Sequence, residues 1–283
     1  MRKGLFRGLL AVASLSVGVL AGGLGLVPAA QSAPTWAPAG SATIHPGVMM
    51  FTDGAQCTAN FIFTQGETVY IGYAAHCAGT GGATDTNGCD SGSLPLGTPV
   101  EIDGATQPGT LAYSSWLAMD QANETNADAC SYNDFALVRI NPADVGRVNP
   151  SIPHWGGPTG INTTGNPVLS TVHSYGNSSL RLGISQLSPK TGTSLGTSGG
   201  GWTHAAYTVT PGVPGDSGSA FLDSQGRATG VLSTLAIAPL AGSNNASDLG
   251  RALSYAQSHG VNGVSLALGT EAFNPNQLPL GIG

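Results

Sequence analysis

The chain has 283 residues, of which 41% are hydrophobic and only 8% charged. That length allows one large or two small domains with a sizeable core, and the apolar content excludes a disordered chain. Nine basic against fifteen acidic residues, a formal charge of −6, exclude the clustered Lys and Arg of an electrostatic nucleic-acid footprint.

Residues 1–33 read as an export signal. Arg2, Lys3 and Arg7 make a basic start, an apolar, small-residue run covers 8–27, and small residues suited to signal peptidase lie within 30–33. A membrane anchor is the alternative, which the glycine-rich run and small-residue exit disfavour. No later stretch approaches the ~20 apolar residues of a membrane span. Residues 34–42 form a lead-in too short for a folded pro-domain.

From residue 48 onward, runs with strand character cover 57–63, 68–74, 100–102, 110–113 and 135–140. Turns such as Asp53-Gly54 and Asn87-Gly88 separate them, which indicates an all-β sandwich or barrel. The stretch 141–167 is rich in Pro, Gly and Asn, and 146–167 reads as a linker between a first half, 43–145, and a second, 168–262. Strand character resumes at 168–175, 180–187, 205–209, 219–222 and 229–238. One helix is expected over 247–258, capped by Ser247 or Asn245, with Leu249, Ala252, Leu253 and Ala256 at helical spacing. An apolar run at 264–268 lies in a Pro/Gly-rich tail, 263–283, to which the sequence assigns no place.

The cysteines are Cys57, Cys77, Cys89 and Cys130. Outside the cytoplasm an even count reads as two disulfides, with three pairings open. None has zinc-ligand spacing, so neither metal nor cofactor is expected.

The chemistry centres on Pro214-Gly215-Asp216-Ser217-Gly218-Ser219. Glycines on either side of Ser217 suit a tight turn with an exposed hydroxyl, and the N–H groups of Gly215 and Ser217 could converge as an oxyanion hole. A polar turn is the plain alternative. A serine nucleophile needs a base, and six histidines are candidates: His45, His76, His154, His173, His204 and His259. His76 stands apart, because a strand runs into Ala74-Ala75 and Cys77 follows it at once. His76 in turn needs an acid, and Asp134 sits at the mouth of the apolar run Phe135-Ala136-Leu137-Val138, where its charge is costly to bury alone.

Ala74-Ala75-His76-Cys77, Asn133-Asp134-Phe135-Ala136-Leu137-Val138 and Gly215-Asp216-Ser217-Gly218-Ser219 resemble the three signatures of chymotrypsin/trypsin-like serine proteases, in that family's order. The low charge and two disulfides resemble its secreted bacterial branch. The resemblance implies two antiparallel six-stranded β-barrels with a C-terminal helix and a cleft between the barrels. His76, Asp134 and Ser217 would be catalytic, with Gly215 and Ser217 as oxyanion donors. It implies a Cys57–Cys77 disulfide, which leaves Cys89 with Cys130. It also implies that Ser233 contacts the triad acid, that Pro211 floors the primary pocket, and that Thr234 and Leu235 form its wall. No Ile-Val-Gly-Gly-like start is visible, so Arg181 is the candidate internal partner of Asp216.

These readings describe a secreted, monomeric serine endopeptidase acting on peptides or proteins, with no nucleic-acid partner and no membrane attachment after signal removal. Pro211, Gly212, Val213 and Pro214 offer no carboxylate for Lys or Arg, so the residue before the scissile bond is expected to be uncharged, small or medium and apolar. One rival is an α/β-hydrolase esterase using Ser217, Asp248 and His259, although Ser219 breaks its nucleophile elbow. The other is a protease-like binding protein without catalysis.

Overall fold

A computed structural model describes residues 1, 34–82, 86–236 and 242–277, with the backbone alone for Leu235 and Ala236. The expected export signal, the end of the tail and the Leu235 side chain lie outside the described residues.

In the first half run β1 (Met49–Thr52), β2 (Ala55–Thr58), β3 (Ile62–Gln65), β4 (Thr68–Tyr73), β5 (Pro99–Ile102) and β6 (Gly109–Ser114). Then come α1 (Ser115–Ala122), α2 (Ala127–Tyr132) and β7 (Ala136–Arg139). The second half holds β8 (Thr171–Tyr175), β9 (Pro189–Ser198), β10 (Thr203–Thr208), β11 (Ala220–Asp223), β12 (Ala228–Ala236) and β13 (Ser243–Asp248), followed by α3 (Leu249–Ser258) and β14 (Ser265–Leu266). β8–β13 close into a six-stranded antiparallel barrel in the order β10-β13-β12-β11-β8-β9. The first half is one eight-stranded sheet, β14-β3-β4-β7-β6-β5-β1-β2. The architecture is all-β with a C-terminal helix, as expected, and β14 brings the first sheet to eight strands.

The centre of the first sheet is buried on both faces, so its strands are continuous apolar runs. β4 and β7 bury Val69, Ile71, Tyr73, Leu137 and Val138 at its centre, beside the Phe63–Phe135 edge-to-face pair. The expected strand at 57–63 breaks in two, because Phe61 N donates to the Asn60 side chain and Asn60 N to Gly72 O. The expected strand at 180–187 is absent. Two single 3₁₀ turns, Ser179–Arg181 and Ser185–Leu187, stand there, with Leu182 in the left-handed region. Ser178 caps the first turn, and Leu180, Leu182 and Ile184 face solvent, so apolar character there did not signal burial.

The sequence reading missed β9 and β13, which are built mostly of Thr, Ser, Gly and Asn. They are strands because they pair on both sides within a closed barrel, which satisfies their backbones whatever their polarity. The helices α1 and α2 were also not foreseen. Asn126 caps α2 by accepting from Asp128 N and Ala129 N. The cap of α3 is Asp248, not Ser247 or Asn245, through its 2.7 Å bond from Arg251 N.

The tail has a place. After β14 pairs with β3, Thr270 N and Glu271 N donate to Ser151 Oγ, and Phe273 packs edge-on to His173 of the barrel. The stretch between the halves is likewise packed, with Trp155 fully buried and its Nε1 donating to Ser174 O.

Candidate active site

β4 ends at Tyr73, and the chain tightens into a 3₁₀ turn, Ala75–Ala78, that carries His76. Alanines at 74, 75 and 78 are fully buried, so the turn packs close under the sheet with no side chain to push it away. Cys77 is bonded to Cys57 of β2, and the disulfide sulfurs lie within 4.8 Å of a His76 ring nitrogen. Both thiols are consumed in that bond, so the cluster brings the imidazole no thiolate ligand. The second disulfide, Cys89–Cys130, ties the loop after His76 to α2, which leads into Asp134.

Asp134 reaches His76 twice. Its Oδ2 is 2.6 Å from Nδ1, and its Oδ1 accepts the His76 backbone N–H at 2.9 Å. Ser233 Oγ of β12 donates to Oδ2 at 2.6 Å, and Ser247 Oγ of β13 accepts from Asp134 N at 3.2 Å. The carboxylate is buried yet fully partnered. Burial would raise its pKa, but the His76 charge and the hydrogen bonds from His76 and Ser233 outweigh that and hold it below the usual carboxylate value. For His76, burial alone would lower the pKa, and the Asp134 charge and hydrogen bond hold it above the ordinary imidazole value.

Ser217 lies on the turn between β10 and β11. Gly215 and Gly218 have φ of +94° and +88°, angles a side chain rarely adopts. Gly218 is also a point of close approach: a Cβ there would stand 2.6 Å from Thr58 O and 2.9 Å from Ala74 N. The serine turn thus presses on the backbone two residues ahead of His76. Thr58 N donates to Ser217 O at 2.8 Å, and Thr58 Oγ1 and Gln56 Nε2 donate to Gly215 O. Among the described residues the N–H groups of Gly215 and Ser217 make no hydrogen bond, which leaves both donors open beside the hydroxyl.

Asp216 points the other way, into the barrel, and is fully buried. Arg181 Nη2 at 2.5 Å and Lys190 Nζ at 2.6 Å both meet its Oδ2, and Ser178 N and Val213 N complete the shell. Burial would raise the Asp216 pKa, but the Arg181 hydrogen bond and the Lys190 charge keep it low. Arg181 was anticipated. Lys190, Thr58, Gln56 and Ser178 were not, because their roles depend on contacts across the fold. The one available signal was that Lys190 is the chain's single lysine apart from Lys3 of the expected export signal.

Pro211 lies on the segment entering the serine turn, and its carbonyl accepts from Arg181 Nη2 and Lys190 Nζ. Thr234 is on β12, one residue beyond Ser233. The other histidines stand elsewhere. His204 is paired with Asp248 at 2.7 Å and bonded to Thr197 Oγ1, while His259 stacks on Tyr255 at 4.0 Å. Asp248 therefore serves His204 and the α3 cap, so the alternative set of Ser217, Asp248 and His259 is not assembled. His154 and His173 flank Trp155.

This arrangement of two antiparallel β units, with the histidine and acid on one and the glycine-flanked serine on the other, defines a chymotrypsin-like fold. Protease A of Thermobifida fusca shares it at a TM-score of 0.50, with 19% identity over 80% of this chain and 99% of that one. A chymotrypsin of Cellulomonas bogoriensis (20% identity, 79% and 98% covered) and a Nocardiopsis protease (18%, 79% and 98%) are also similar, at TM-scores of 0.47 and 0.44. No protein-family model and no curated protein matches the sequence. The fold is that of bacterial chymotrypsin-like serine proteases.

Proposed function

We propose that the protein is an exported serine endopeptidase that hydrolyses peptide bonds through Ser217, His76 and Asp134. The observation that carries this is the buried, fully hydrogen-bonded Asp134 held 2.6 Å from His76 Nδ1. A carboxylate so placed keeps Nδ1 protonated and leaves Nε2 as the base. Ser217 Oγ attacks the carbonyl carbon as His76 Nε2 takes its proton. The tetrahedral oxyanion is stabilised by the open N–H groups of Gly215 and Ser217. His76 then protonates the leaving amine, and water attacks the acyl-enzyme by the same steps in reverse. Residues 211–214 floor the pocket for the residue before the scissile bond, with Ser233, Thr234 and Leu235 along its wall. The floor carries no carboxylate, so that residue is uncharged. Two disulfides fit an oxidising compartment, as export requires. A fluorophosphonate probe tests the assignment. It should label Ser217 in the wild-type protein and not in His76→Ala, and equal labelling of both would sink the base assignment.

A further inference from the structure

The turn that leads into Ser217 has two forms open to it. Asp216 N donates to Val213 O at 2.9 Å, which closes a four-residue turn with Pro214 and Gly215 at its centre. Gly215 has a φ of +94°, as in a type II turn. In a type I turn the same position has a negative φ, and the two forms differ in which way up the central peptide lies, here Pro214–Gly215. Proline suits the second position of either form, and glycine accepts either sign of φ, so the composition of the turn does not choose. The choice matters because a trans peptide points its C=O and N–H in opposite directions. Turning this plane over would put the Pro214 carbonyl where the open Gly215 N–H now points.

Ser178 meets that carbonyl. Its Oγ donates to Pro214 O at 2.5 Å and accepts from Leu180 N at 3.1 Å. A backbone N–H can only donate and a carbonyl can only accept, so the hydroxyl proton is committed to Pro214. Ser178 is 1% exposed, and in the type I form its proton would lose this acceptor in a buried place. Ser178 is itself seated by the buried ion cluster, because its N–H donates to Asp216 Oδ1 at 3.1 Å and Arg181, three residues on, bonds the same carboxylate. On the other side of Gly215, its own carbonyl accepts from Thr58 Oγ1 and Gln56 Nε2. Both peptides that flank Gly215 are thus pinned by side-chain donors.

Resting on the protease reading above, we propose that Ser178 is a positioning residue of the oxyanion hole. Its hydroxyl holds the Pro214–Gly215 peptide in the orientation that aims the Gly215 N–H at the reacting carbonyl. It acts through Gly215 and not on the substrate. Without it the turn divides between its two forms, and in the type I form the Pro214 carbonyl oxygen faces the developing oxyanion and repels it. That loss falls on the transition state, where the negative charge forms, more than on binding of the ground state. The role also gives the Asp216 cluster a catalytic consequence, since the carboxylate that pairs Arg181 and Lys190 is the one that seats Ser178.

The test compares two inhibitors built on one peptide that the wild-type protein cleaves, one ending in an aldehyde and the other in the corresponding alcohol. Ser217 Oγ adds to the aldehyde carbon while its proton passes through His76 to the former carbonyl oxygen, which then lies against the Gly215 N–H. The alcohol forms no such bond. Ser178→Ala should weaken the aldehyde by about fivefold to tenfold, the worth of one hydrogen bond, and lower kcat by a similar factor. The alcohol and KM should not change. Ser178→Thr, which keeps the hydroxyl, should restore the aldehyde-to-alcohol ratio. Both inhibition constants are read against residual activity, so a reduced folded fraction cancels. A ratio unchanged in Ser178→Ala, or lowered equally in Ser178→Ala and Ser178→Thr, overturns the assignment. If the fluorophosphonate labels Ser217 while the ratio does not move, only the Ser178 assignment fails. If nothing is labelled and nothing is cut, the protease reading fails first and takes this inference with it.

Discussion

The two halves hold their parts of the site by different physics. The half bearing His76 and Asp134 is stapled covalently, with both disulfides beside the imidazole and on the way to the acid. The barrel bearing Ser217 contains no cysteine and fixes its turn with a buried cluster, Asp216 between Arg181 and Lys190. A disulfide acts mainly by restricting the unfolded chain, and its effect does not depend on pH. A buried ion cluster acts only while every member is present and charged, because removing one leaves the others unpaired. The same task of holding a few backbone atoms still is met once by chain entropy and once by electrostatics.

The largest expected effects concern the chemistry that joins the halves. Ser217→Ala should cut amide turnover by about 10⁴- to 10⁶-fold with the fold intact, and Asp134→Asn by about 10⁴-fold through the wrong imidazole tautomer. Steady-state assay with circular dichroism checks both, and a tenth of wild-type activity in Ser217→Ala would end the triad reading. Next, Asp216→Ala should cost about 3–5 kcal/mol of stability by leaving Arg181 and Lys190 without their carboxylate. Urea unfolding measures this, and a loss below 1 kcal/mol would mean that the cluster does not brace the barrel. Replacing Cys57 and Cys77 together by Ala should cost about 3 kcal/mol, from a closed loop with a sequence separation of 20. That loss should be the same at pH 5 and pH 8, and a strong pH dependence would erase the contrast between the halves.

Acid should act on the barrel. Burial pushes the His173 pKa down to about 4, against the opposing charge of Asp223 and with the help of His154. A histidine kept neutral in the fold stabilises fully above its unfolded pKa, near 6.5. As the pH falls from there to about 4 the unfolded chain takes up the proton first, and roughly 3 kcal/mol is lost. His173→Phe should flatten the urea midpoint over that window, and an unchanged slope would remove His173 as its source. The smallest effect expected is on the rate profile. The Asp134 charge and hydrogen bond outweigh burial at His76, so the acid limb of kcat/KM should have its midpoint above the ordinary imidazole value. A midpoint at or below that of free imidazole would contradict the tight pair.

What could be read from the chain alone was whatever chemistry writes into consecutive residues. Ala74-Ala75-His76-Cys77 is legible because its tight packing admits only small residues before the histidine, and Gly215-Asp216-Ser217-Gly218 because positive φ at both ends favours glycine. Continuous runs of β-branched, aromatic and other apolar residues located β4 and β7 from local composition as well. β9 and β13 were not legible, since a strand paired on both sides in a closed barrel needs no apolar face to satisfy its backbone. The run at 180–187 misled, because hydrophobicity reports burial only once it is known what packs against it. Only the tertiary structure decided that Lys190 joins Arg181 on Asp216, that Thr58 and Gln56 reach across to the serine turn, and that the tail adds a strand to β3. These are contacts between residues tens to more than two hundred positions apart, and no local sequence preference encodes them. They exist because chain folding brings a charge, a hydroxyl or an amide to a partner that neither neighbourhood names.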